Sequence, residues 1–147
     1  MMSRLIFLNL PVADLARSTA FYEALGFTKN PQFSDDTASC MVLSDVIHVM
    51  LLTHDKFRMF TPKAIPDAHE TSQVLLCISC ESRAAVDEIT EAALAQGSRE
   101  PSPKDEYDFM YGRSFEDPDG HMWGPMWMDV AALGGRAPGE VVAEAAA

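Results

Sequence analysis

Basic residues are scarce in this chain of 147 residues: 11 Lys and Arg stand against 22 Asp and Glu, for a formal net charge of −11. Such a field repels polyphosphates, which argues against nucleic acid and anionic membrane surfaces as partners. Cysteine is rare too. The 3 thiols, Cys40, Cys77 and Cys80, are an odd number in apolar surroundings, which suits reduced side chains and a cytoplasmic setting rather than a disulfide framework. Long hydrophobic runs are missing: none reaches the roughly eighteen apolar residues of a membrane span. The opening MMSRLIFLNLPV is too short in its apolar part for a signal peptide. Core material, by contrast, is ample. Apolar residues make up 48% and charged residues 22%, enough for one packed domain without a structural metal or disulfide.

The chain repeats itself. Leu5 to Val12 reads as a strand, Asp14 offers an N-cap, Leu15, Phe21, Tyr22 and Leu25 recur at helical spacing, and Gly26 ends the helix. Two β-rich runs follow, TASCMVL and VIHVMLLT, with Ser44-Asp45 as the turn. The same grammar returns in QVLLCISC (73–80), with Ser82 as cap and an amphipathic stripe of Val86, Ile89, Ala93 and Leu94 that stops at Gly97. It closes with the runs MYGRSFE and HMWGPMWM around Asp117 to Gly120. Asp14 and Ser82 are 68 residues apart, Gly26 and Gly97 71, Leu43 and Phe115 72. Three anchors at nearly one offset indicate a duplicated strand–helix–strand–strand–strand unit. The reading is an α+β chain: one domain over 1–129, with modules at about 4–53 and 73–129, a connecting loop over 54–72, and a flexible C-terminal tail over 130–147. In the loop, Pro62 and Pro66 forbid a long helix, although DKFRMF can form a turn or two.

LPVADLARSTAFYEALGF (10–27) and FEDPDGHMW (115–123) resemble the vicinal oxygen chelate superfamily, that is glyoxalase I, the bleomycin-resistance proteins and the extradiol dioxygenases. The resemblance covers about residues 4 to 129. It implies two βαβββ modules forming a curved mixed sheet around a cleft, frequently in a homodimer, with a divalent metal (Ni, Zn, Mn or Fe) held by one ligand from each of four strands. Carried over by position, those ligands fall at Phe7, at His48 or Val49, at about Leu75, and at Gly124, where the family has a Glu. Phe, Leu and Gly offer no side-chain donor, so His48 alone survives and the usual metal site is expected to be absent.

Strand alternation then predicts a cleft face of Phe7, Asn9, His48, Met50, Leu75, Cys77, Met122, Gly124, Met126 and Met128, with Trp123 and Trp127 packing on the helices. Tyr111 and Arg113 are placed at the cleft mouth, where they can hold a carboxylate or a ring edge. An apolar, Met-rich pocket with few polar handles suits an aromatic or apolar ligand. For any single Met plain core packing is the favoured reading, and for His48 a structural hydrogen bond. His121 is expected at an exposed strand start, and His54 and His69 bracket the loop. Cys77 and Cys80 form a C-x-x-C spacing, but within a strand they point to opposite faces and read as core thiols rather than a redox pair.

Two functions follow from different classes. One is a metal-free protein binding or sequestering a small molecule. The other is a metal-dependent lyase or isomerase like glyoxalase I, or an extradiol-type dioxygenase, with a relocated metal site. No catalytic residue is assigned; His48 is the only candidate.

Overall fold

Period-two alternation sets the first sheet of the computed structural model, which describes residues 3–133. In β1 (Ile6–Val12), Leu10 and Val12 are buried while Phe7 and Asn9 are exposed, so one face is covered and the other open. α1 (Leu15–Ala24) begins where the Asp14 side chain accepts the Arg17 backbone N–H, and ends ahead of Gly26, whose φ of +100° needs no Cβ. β2 (Thr28–Asn30), β3 (Ala38–Val42) and β4 (Ile47–Thr53) complete a sheet in the order β1-β4-β3-β2, with β1 parallel to β4. α2 (His54–Arg58) opens the connecting loop.

The second sheet has the same plan. β5 (Leu76–Ser79) precedes α3 (Arg83–Ala95), capped by Ser82, and then come β6 (Asp105–Tyr107), β7 (Met110–Gly112), β8 (Phe115–Glu116) and β9 (Met122–Met128). The order is β5-β9-β7-β6, with β8 also on β9 and β5 parallel to β9. The architecture is thus α+β with mixed sheets. β5 is shorter than the run 73–80 suggested, because Gln73 to Leu75 lie outside the ladder. β7 and β8 keep one register on β9, Gly112 opposite Met126 and Phe115 opposite Trp123, but the ladder lapses between them. Arg113 N–H bonds the Pro125 carbonyl at 3.1 Å, and proline has no N–H for the return bond.

A single core joins the two halves on the helical side. Leu10, Val12, Phe21, Tyr22, Phe27, Met41, Val49 and Leu51 from the first half enclose Phe115 and Trp123 from the second. The indole ring of Trp123 meets Tyr22 at 5.9 Å, Phe27 at 5.9 Å and Phe115 at 6.4 Å. Of the expected tail, residues 134–147 lie outside the described residues.

Candidate functional site

The sheet faces turned away from the helices carry most of the expected cleft residues. Register places Phe7 beside His48 and Asn9 beside Met50 in the first sheet, and Cys77 beside Gly124 with Met126 next along β9 in the second. Much of this surface is open: Phe7 is 50% exposed and Leu75 62%. Asn9 and Met122 come together, lining one groove of about 220 Å³ with Phe57, Val74 and Leu76. His48, Met50, Cys77, Gly124 and Met126 are not among its walls and remain on the open faces of their own sheets, and Leu75 stands just ahead of β5.

His48 is the unusual member. Its imidazole is stacked under Phe7, with centroids 4.8 Å apart and planes at 18°, and Val42 is its neighbour on the other strand. Both ring nitrogens are buried and neither has a hydrogen-bond partner. The structural hydrogen bond that ordinarily explains a lone strand histidine is therefore missing.

Tyr111 and Arg113 are corrected. Tyr111 pairs with Trp127 and Arg113 adjoins Pro125, so both turn to the helical side. The Arg113 side chain is 4% exposed and reaches Asp87 at 3.0 Å, Glu91 at 2.8 Å and Glu100 at 2.7 Å. Its hydrogen bond to Glu100, first among these contacts, raises its pKa further and holds Glu100 below the usual carboxylate range. The Tyr111 hydroxyl donates to Asp87 at 2.6 Å; burial, then Asp87, pushes its pKa up to about 12.

The DPDG hairpin carries more than turn chemistry. Asp117 is buried and accepts from the Tyr22 hydroxyl at 2.6 Å and from the backbone N–H of Asp119 and His121. Trp123 Nε1 donates to the Tyr22 hydroxyl at 3.0 Å. Burial raises the pKa of both Asp117 and Tyr22. Asp119 accepts from Ala13 N–H at 2.8 Å and from the Ser18 hydroxyl at 3.2 Å, and His121 Nε2 lies 2.9 Å from the Pro11 carbonyl. His121 is thus half-buried and engaged, not an exposed strand start. Turn residues signal a hairpin, but nothing in their spacing signalled that both aspartates clamp the first half. His54, His69 and His121 line one surface pocket beside the loop.

Residues 4–44 match the family described as bleomycin resistance protein-like N-terminal. No curated protein matches the sequence. Among solved structures, the hypothetical protein SA1046 from S. aureus is 23% identical with a TM-score of 0.71, covering 86% of this chain and 95% of that one. A glyoxalase-related enzyme from Fulvimarina pelagi is 18% identical, TM-score 0.72, covering 88% and 91%. The fosfomycin resistance protein FosX from Mesorhizobium loti is 17% identical, TM-score 0.65, covering 90% and 98%. The fold of this chain is that of the glyoxalase/bleomycin-resistance/dioxygenase proteins. At these identities the solved structures establish its fold alone.

The resemblance to the vicinal oxygen chelate superfamily implies a metal, and the donors of this chain do not fit it. Gly124 faces Cys77, and His48 faces Phe7, so register makes Cys77, rather than Leu75, the counterpart of Phe7. The four positions are then Phe7, His48, Cys77 and Gly124, with two donors instead of one, both short of the usual set. A Cβ at Gly124 would already meet Cys77 Sγ at 3.2 Å, leaving little room for a carboxylate stem. Among the described residues no group of three or more His, Cys, Asp or Glu side chains is placed to hold a metal ion. As for C-x-x-C, Cys77 and Cys80 are free thiols, and burial raises the pKa of Cys80. No helix among the described residues is long and apolar enough to cross a membrane.

Proposed function

We propose that this chain binds a small aromatic or apolar molecule on its open sheet faces without using a metal, and that it works as a homodimer. The observation that carries the reading is the composition of those faces. Phe7, Met50, Leu75, Met122 and Met126 offer apolar surface, Asn9, His48 and Cys77 offer a few polar handles, and the donor set is too poor for the family's metal. Ligand sites commonly combine such a lining with a small number of fixed polar groups. The dimer is supported by Leu5, Ile6, Phe7, Val46, Val74 and Leu75, large apolar side chains all exposed on one chain.

The presence of two donors, His48 and Cys77, among the four positions Phe7, His48, Cys77 and Gly124 favours a second reading. In it a divalent ion (Ni, Zn, Mn or Fe) recruits further donors, and the protein is a glyoxalase I-like lyase or isomerase or an extradiol-type dioxygenase. Elemental analysis of the untagged protein, before and after soaking in these ions, separates the two. The binding reading expects no retained metal, and thermal-shift hits among aromatic compounds. Near-stoichiometric metal that disappears in both His48→Ala and Cys77→Ala would sink it, and assays of hemithioacetal isomerisation and catechol cleavage would then decide the reaction.

A further inference from the structure

Gly124 leaves the open face of β9 without a side chain at one position, and a thiol stands over the gap. A Cβ built there would meet Cys77 Sγ at 3.2 Å. Met122 and Met126 lie on the same face of β9, two residues before Gly124 and two after, while the alternate residues Trp123 and Pro125 are buried on the helical side. Cys77 pairs with Gly124 across the parallel ladder, which makes both methionines its diagonal neighbours. Such neighbours stand about 7–8 Å apart, within reach of long side chains. Cys77 is exposed and both methionines are partly so, unlike the buried thiol of Cys40 and the buried Met41. Core packing therefore does not account for the group. Three sulfur-bearing side chains surround one notch in the sheet.

We propose that Cys77, Met122 and Met126 form a three-coordinate site for Cu(I), with Gly124 as the gap that lets the thiol lie between the two thioethers. Thiolate and thioether donors are soft and select monovalent copper, whereas harder divalent ions favour nitrogen and oxygen. Among the described residues no group of three His, Cys, Asp or Glu side chains is placed to compete for the ion. On binding, Cys77 Sγ gives its proton to solvent and forms a bond to copper in place of the S–H bond. Each methionine adds a sulfur lone pair, and the oxidation state of the metal is unchanged. A larger side chain at position 124, including the Glu that the resemblance puts there, would push the thiol away from the methionines. The exposed side of Cys77 leaves the ion a way in and out. This site goes beyond the aromatic-ligand reading and does not depend on it.

The test titrates the untagged full chain without oxygen, using Cu(I) as its acetonitrile complex in competition with the chromogenic chelator bathocuproine disulfonate. Methionine methyl groups are followed by carbon-13 NMR, with Ag(I) as the redox-inert stand-in for copper. Wild-type protein is expected to hold one Cu(I) per chain against the chelator. One equivalent of Ag(I) should move the methyl signals of Met122 and Met126 and leave that of Met41 in place. Cys77→Ser should abolish the binding. Met122→Leu combined with Met126→Leu keeps side-chain volume, and should lose the competition against the chelator while the circular dichroism stays that of the wild type. Gly124→Ala should weaken the binding, and Cys80→Ser should leave it as it is. A wild type that holds no Cu(I), full affinity in the double leucine variant, or copper held through Cys80 instead would overturn the site. Each of those results leaves the thermal-shift test of the aromatic-ligand reading untouched.

Discussion

Arg113 shows what one side chain can hold at the residue scale. Its guanidinium is almost fully buried, yet two of its three carboxylate partners, Asp87 and Glu91, are about half exposed, so solvent moderates the loss when the arginine is removed. Arg113→Met should cost roughly 2–3 kcal/mol at pH 7, below the usual figure for breaking a fully buried pair, as read by urea unfolding. The pH dependence has a definite sign. Asp87 is held below its ordinary range first by the Tyr111 hydroxyl and then by Arg113, and Glu100 first by Arg113. Groups with depressed pKa values stabilise the fold above their unfolded values, near about pH 4, and lose that contribution as pH falls through the folded values. The gap between wild type and Arg113→Met should therefore narrow from pH 5 to pH 3. A constant gap would show that the carboxylates do not supply it. Alternation spaces the exposed Phe7 and Asn9 apart from the buried Leu10 and Val12, whereas Arg113, expected at the cleft mouth, lies on the helical side. Period gives the spacing of side chains along a strand, whereas phase depends on hairpin register. That register is set here by pairing across Asp117 to Gly120, which no spacing reveals.

At the scale of elements, the hairpin and the connecting loop form one unit. Gly120 has φ +90°, and a Cβ there would come within 2.6 Å of His69 N and 2.7 Å of the Ala68 carbonyl carbon. The loop backbone rests on the space a side chain would fill. Gly120→Ala should cost about 1–3 kcal/mol and unseat the loop, seen as faster amide exchange and proteolysis over 64–72; unchanged protection there would mean the loop is held elsewhere. The long elements were legible because caps and stops agreed with periodicity: Asp14 and Gly26 bound α1, Ser82 and Gly97 bound α3. The three-residue edge strands were not. TKN in β2 and DEY in β6 carry no apolar alternation, and only the neighbouring strand defines them.

At the scale of the molecule, the outer strands β1 and β5 each leave one backbone edge without a partner among the described residues, and exposed apolar side chains cluster by sequence around them. If a second copy covers them, Ile6→Lys combined with Leu75→Asp should give a monomer by analytical ultracentrifugation without lowering the unfolding midpoint of the isolated chain. A wild type that sediments as a monomer at micromolar concentration would remove the dimer from the proposal.

Trp123 has a consequence of another kind. The largest fully buried side chain belongs to the second half, yet two of its three ring partners, Tyr22 and Phe27, belong to the first. The repeat is therefore no longer two self-sufficient units. Each half, made alone, would expose the aromatic surface its counterpart covers, and should be unfolded. Mixed after cleavage within 61–66, the halves should restore one cooperative transition, which makes the chain a natural starting point for a two-fragment reporter.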